Sequence, residues 1–109
     1  MATAYKVLGQ INPAGNTMTT LYTVPASTQT VISTITVCNQ AATNATFTIA
    51  VQPAGASILT KHYINYSTPV PANDTITLTL GITLATTDLI ACSANTASVS
   101  FNAFGSEIS

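Results

Sequence analysis

From Thr75 to Leu84 the chain alternates residue by residue. Ile76, Leu78, Leu80, Ile82 and Leu84 occupy one parity, and Thr75, Thr77, Thr79, Gly81 and Thr83 the other. Successive side chains of a β-strand point to opposite faces, so this spacing gathers the aliphatics on one face and the hydroxyls on the other. A helix would scatter the same residues round its whole circumference. The stretch is predicted as one strand with a buried face, bent or ended at Gly81.

The same period recurs. Phe47, Ile49 and Val51 alternate with Thr46, Thr48 and Ala50, and Val99, Phe101 and Ala103 with Ser98, Ser100 and Asn102. Val31 to Cys38 is β-branched nearly throughout and reads as a strand covered on both faces. Tyr5 to Ile11, Leu21 to Val24, Ile58 to Tyr66 and Leu89 to Ser93 complete the set. Turn residues separate these runs: Asn12 to Asn16, Pro25 to Ser27, Asn39 to Asn44, Pro53 to Gly55, Pro69 to Asp74, Thr86 to Asp88 and Asn95-Thr96. Seven to eight short strands with no helical stretch predict an all-β fold, a two-sheet antiparallel sandwich filling residues 1–109 as one domain. Jelly-roll and immunoglobulin-like topologies both fit this pattern.

Composition narrows the function classes. Only 5% of the residues are charged, namely Lys6, Lys61, Asp74, Asp88 and Glu107, against about 25% in an ordinary soluble domain. Threonine, with 21 copies, takes over as the surface residue. Burying a lone charge costs several kcal/mol, whereas a hydroxyl that finds a partner costs far less. Such a surface suits burial against neighbours, as in an assembly subunit. Two cations cannot track a phosphate backbone, so no nucleic acid is expected as a partner. No apolar run is long enough to span a bilayer, so no membrane is expected either. The N-terminal residues carry neither a basic nor an apolar signal segment, so the chain is expected to remain in the cytoplasm or leave it within a particle.

Reactive groups are few. One His, three carboxylates and two cysteines give no nucleophile elbow, no phosphate loop and no ligand spacing for zinc or calcium. No catalytic residue, metal or cofactor is predicted, and the chain is read as a non-enzyme. Cys38 and Cys92 lie in apolar runs and are expected as free thiols. The sequons at Asn44, Asn65 and Asn73 are expected by chance in a chain this rich in Asn and Thr.

One stretch stands out. Lys61, His62, Tyr63, Asn65 and Tyr66 combine a cation, an imidazole and two of the four tyrosines. As a strand it would place Lys61, Tyr63 and Asn65 on one face and His62, Ile64 and Tyr66 on the other. Tyrosine favours surfaces where an apolar body meets a polar rim, so these residues are the candidate interface. A strand whose tyrosines pack on the sandwich with exposed hydroxyls accounts for them equally. The C-terminal run from Phe101 to Ile108 either finishes the last strand or pairs with the open sheet edge of a neighbouring copy.

A set of short stretches carries a resemblance. These are Tyr5-Lys6-Val7-Leu8-Gly9-Gln10, Leu21 to Ala26, Val37-Cys38-Asn39 and Pro53-Ala54-Gly55-Ala56 before Lys61-His62-Tyr63. Pro71 to Thr75 leads into Leu80 to Leu84, and Phe104 to Ile108 follows. Together they resemble small virion structural proteins of tailed bacteriophages, particularly those of aquatic bacteria, along essentially the whole chain. The resemblance implies a non-enzymatic virion component, assembled in the host cytoplasm. It would be a capsid decoration (cement) protein first, or a tail, fibre or baseplate accessory such as a receptor- or glycan-binding module. Implied partners are the major capsid protein or other virion proteins. A homo-oligomer is expected, with a trimer suiting the capsid's symmetry axes.

Overall fold

A computed structural model describes residues 2–79 and 81–109; Leu80, read above as part of a strand, lies outside them. Nine strands are present among the described residues: β1 (Thr3–Ile11), β2 (Thr19–Thr23), β3 (Gln29–Asn39), β4 (Ala45–Gln52), β5 (Tyr63–Val70), β6 (Thr75–Leu78), β7 (Ile82–Leu84), β8 (Leu89–Ala94) and β9 (Val99–Ile108). One sheet has the order β1-β9-β3-β6, with β7 also on β3, and the other has β2-β8-β4-β5. Every pairing is antiparallel.

Counting β6 and β7 as one interrupted strand, the pairings nest. The first strand pairs with the last, the second with the second-last, the third with the third-last, and β4 with β5. That is a long antiparallel hairpin folded over on itself, the two-sheet jelly roll. An immunoglobulin-like sandwich would put the first two strands in one sheet, whereas β1 and β2 lie in opposite sheets.

The two inner faces meet in one core. β9 contributes Val99, Phe101 and Ala103, β3 contributes Ile32, Ile35 and Val37, and β4 and β8 supply Phe47, Ile49, Ile90 and Cys92. Phe47 and Phe101 meet edge to face across it, ring centroids 6.2 Å apart, a geometry the ring quadrupoles favour. Both cysteines are free: Cys92 is buried in the core and Cys38 is half-buried. Burial alone pushes the Cys92 thiol pKa up, as expected for a thiol kept as a small hydrophobe.

A crease crosses the first sheet. β1 gains an extra residue at Leu8, between the pairs Val7–Phe104 and Gly9–Ala103. β3 gains one at Ser33, between Ile32–Gly105 and Thr34–Phe104. On the far side of β3, β6 stops at Leu78 and β7 begins at Ile82, with Gly81 left-handed at φ 63°. The strand predicted from Thr75 to Leu84 is therefore two pieces on one partner. Extra residues bend the strand that carries them and increase its twist, and here they fall at one level. Ser33 Oγ donates to the Phe104 carbonyl at the bulge (3.1 Å). Close backbone approach goes with the bend: a Cβ on Gly105 would lie 2.0 Å from the Val31 carbonyl oxygen.

The predicted strand from Ile58 to Tyr66 is also altered. Thr60–His62 form a single 3-10 turn and the strand starts at Tyr63. Leu78 and Ile76, expected as buried, are only half-buried because β6 lies at the sheet edge. The C-terminal run does finish the last strand, paired on both sides by β1 and β3.

Candidate contact surface

The five residues of the candidate strip occupy three environments. Lys61 is exposed on the turn. His62 is buried, and its Nδ1 accepts the Leu59 N–H (3.0 Å) while its own N–H reaches the Leu59 carbonyl (3.0 Å). Accepting at Nδ1 places the proton of the neutral ring on Nε2. His62 thus closes the turn that precedes β5. Tyr63, half-buried, and Tyr66, exposed, touch edge to face with centroids 4.9 Å apart. Simple alternation would have separated these two rings to opposite faces. β5 carries extra residues against β4 between Asn65 and Thr68 and again at Ile64, and these irregularities re-aim its side chains. Asn65 is half-buried, and its Oδ1 has no hydrogen-bond partner among the described residues.

A second surface was not singled out from the sequence. On β1, Tyr5 and Val7 alternate with Ala4 and Lys6, and their partners Ser106 and Phe104 share their face. Tyr5 is 86% exposed, Val7 48% and Phe104 36%. With Val31 and Ser33 of β3 they line a shallow groove over β9. Beyond the crease the same outer face turns mainly to hydroxyls and amides: Thr36 of β3 pairs with Asn102 and Thr77, and Cys38, half-buried, with Ser100 and Thr75. The sheet therefore presents an apolar half and a polar half, divided at Leu8 and Ser33.

Beneath the apolar half lies a polar clasp. Lys6 Nζ is 2.8 Å from Glu107 Oε1. Tyr22, from the opposite sheet, donates its hydroxyl to Glu107 Oε2, and Thr30 Oγ1 sits 2.8 Å from the Tyr22 oxygen. The Tyr22 proton being committed to Glu107, Thr30 donates to Tyr22. Hydrogen bonding from Lys6, then from Tyr22, holds the Glu107 carboxyl below its ordinary pKa of 4.5. Burial, then the bond to Glu107, pushes the Tyr22 phenol up to about 12. Two charges are neutralised here, and the sheets are tied together where β1 is the outermost strand. Glu107 lies 85 residues from Tyr22 along the chain and at the opposite end from Lys6, which hid this group from sequence reading.

Chemistry beyond contact is sparse. Among the described residues no three His, Cys, Asp or Glu side chains come together. Asp88 uses its carboxylate on backbone, accepting the N–H groups of Ala54 (2.8 Å) and Ala85 (2.9 Å). No described helix is long and apolar enough to cross a membrane.

No protein-family model matches the chain, and no curated protein matches it. Among solved structures, it is similar to a chain in the structure of infectious bursal disease virus Gx strain, with 13% identity and a TM-score of 0.45. The match covers 97% of this chain and 30% of that one, so this chain spans about a third of its length.

Proposed function

We propose that the protein is a non-enzymatic structural component of a virion, in first place a bacteriophage capsid decoration protein bound to the outer shell. The observation that carries this reading is a contiguous set of exposed apolar side chains, Tyr5, Val7 and Phe104, on a surface where charge is nearly absent. Exposed apolar groups rimmed by polar ones mark interaction sites. Hydroxyls and amides on the other half of the sheet are cheap to desolvate when paired. Many weak contacts of this kind add through multivalency on a repeating lattice. Jelly rolls also serve as lectin domains and cupins, so the fold alone does not select the role, and the reading is supported by the surface.

The Lys61, Tyr63, Asn65 and Tyr66 strip is a second proposed contact, toward the major capsid protein or another virion protein. His62 supports it from within. The Tyr63–Tyr66 ring pair favours one further reading, a tail or fibre module that stacks a sugar of the host surface. The chain would act after assembly in the host cytoplasm, without cofactor, metal, nucleic acid or membrane. A virion reconstruction tests the assignment: density for a small jelly roll across the shell lattice is expected. Density confined to the tail would replace decoration with the accessory role.

A further inference from the structure

We infer that the protein pairs with a second copy of itself through the free edge of β1, in antiparallel two-fold register centred on Tyr5. This names the partner for the assembly role proposed above and rests on that reading.

An unpaired strand edge recruits other strands unless something blunts it, and three of the four sheet edges are blunted. β5 carries two irregularities, Ser67 at φ 47° and Pro69. β6 and β7 form a broken edge of four and three residues. β2 is five residues long with a register shift at Leu21. In contrast, β1 runs from Thr3 to Val7 in unbroken register with β9, and each of those residues is exposed. Its one gatekeeping charge, Lys6, is taken up by Glu107.

Backbone geometry then sets the register. Ala2 and Ser109 exchange both hydrogen bonds, Ala2 N–H to the Ser109 carbonyl (2.8 Å) and the reverse (2.9 Å). Bonded and non-bonded pairs alternate along an antiparallel ladder, so Ala4 and Lys6 bond to β9. Thr3, Tyr5 and Val7 turn their N–H and C=O groups to the free edge. Centring a two-fold on Tyr5 sets Tyr5 against Tyr5 and Thr3 against Val7, so every outward group meets a complementary one. Lys6 then faces Ala4. Centring on Lys6 would oppose two like charges. The Tyr5 register also joins the two apolar faces into one. A five-residue edge with one Tyr and one Val a side falls short of the about 1,200 Å² of a stable standard interface. The pair is therefore weak in solution and a dimer contact, in place of the trimer expected from the capsid's symmetry axes. Because the contact is isologous, it closes at two copies.

Sedimentation of the full chain up to about 1 mM should show a reversible monomer–dimer equilibrium. Tyr5→Pro removes the exposed Tyr5 ring and, from the backbone, only an N–H that faces outward, at a position where an edge strand accepts proline. It should keep the monomer's thermal unfolding and lose the dimer. Val7→Lys keeps every backbone group and adds a charge to the contact, so it should weaken association by about tenfold or more. A wild type monomeric throughout, a dimer indifferent to both variants, or open-ended growth beyond two copies overturns the inference. Monomeric protein that is nonetheless present in particles fails this inference alone. Dimers of a chain absent from particles fail the assembly reading alone.

Discussion

Tyr22→Phe isolates the clasp between the sheets. The ring stays, 8% exposed in the wild type, so apolar burial is unchanged and only the hydroxyl goes. Two interactions go with it: donation to the Glu107 carboxylate and acceptance from Thr30, which is 1% exposed. A hydrogen bond to an ionised group is worth about 1.5–3 kcal/mol net. The Lys6 partner remains, so a loss of about 2–3 kcal/mol is expected near neutral pH. In a chain of this size that lowers Tm by roughly 8–20 °C. The effect should depend on pH. The Glu107 carboxyl is held below 4.5, its ordinary value, so its contribution is complete above 4.5 and fades as pH falls through the lower folded value. In acid, with the carboxyl neutral, the Tyr22→Phe loss should shrink to about 0.5–1.5 kcal/mol. Urea unfolding of both proteins across this range is the assay. An equal loss at neutral and acid pH, or none at either, would refute the clasp.

Other outcomes follow from packing. Gly105→Ala should destabilise by about 3 kcal/mol or more, since the new Cβ meets the Val31 carbonyl; an unchanged thermal midpoint would contradict the close approach. Phe47→Ala should cost about 3–5 kcal/mol, but Leu78→Ala less than about 2 because its edge strand leaves it half-buried; chemical denaturation should reproduce that order. His62→Ala should cost about 1–3 kcal/mol by stranding the Leu59 N–H. Tyr66→Ala should leave the isolated chain within about 0.5 kcal/mol and, if the strip is a contact, weaken binding to purified particles.

What could be read in advance follows a physical line. The sandwich was legible because Val99 to Ala103 alternates in burial as it does in sequence, and Phe47 to Val51 keeps the same sequence period, although there Thr48 and Ala50 on the second face are buried as well. Topology was not, because nothing local in β1 or β2 says that they join opposite sheets. Alternation by itself does not stop at Gly81: the parity continues through Ile82 and Leu84, and both pieces turn their aliphatics to the core, with Leu84 buried and Ile76, Leu78 and Ile82 half-buried. Gly81 itself marks the bend or end of the paired segment, and it lies at the level of the register shift at Ser33. In the Lys61–Tyr66 strip, residue types drew attention, yet the turn at Thr60 and the shifts in β5 decided where the side chains point. The clasp needed Lys6, Tyr22, Thr30 and Glu107 brought together from four strands, which no spacing rule predicts.

The central claim is that this chain is a repeated component of a virus particle. Quantitative mass spectrometry of purified particles tests it most directly. The account predicts this chain at a fixed ratio to the major capsid protein, set by the shell lattice. Its absence from purified particles would contradict the account.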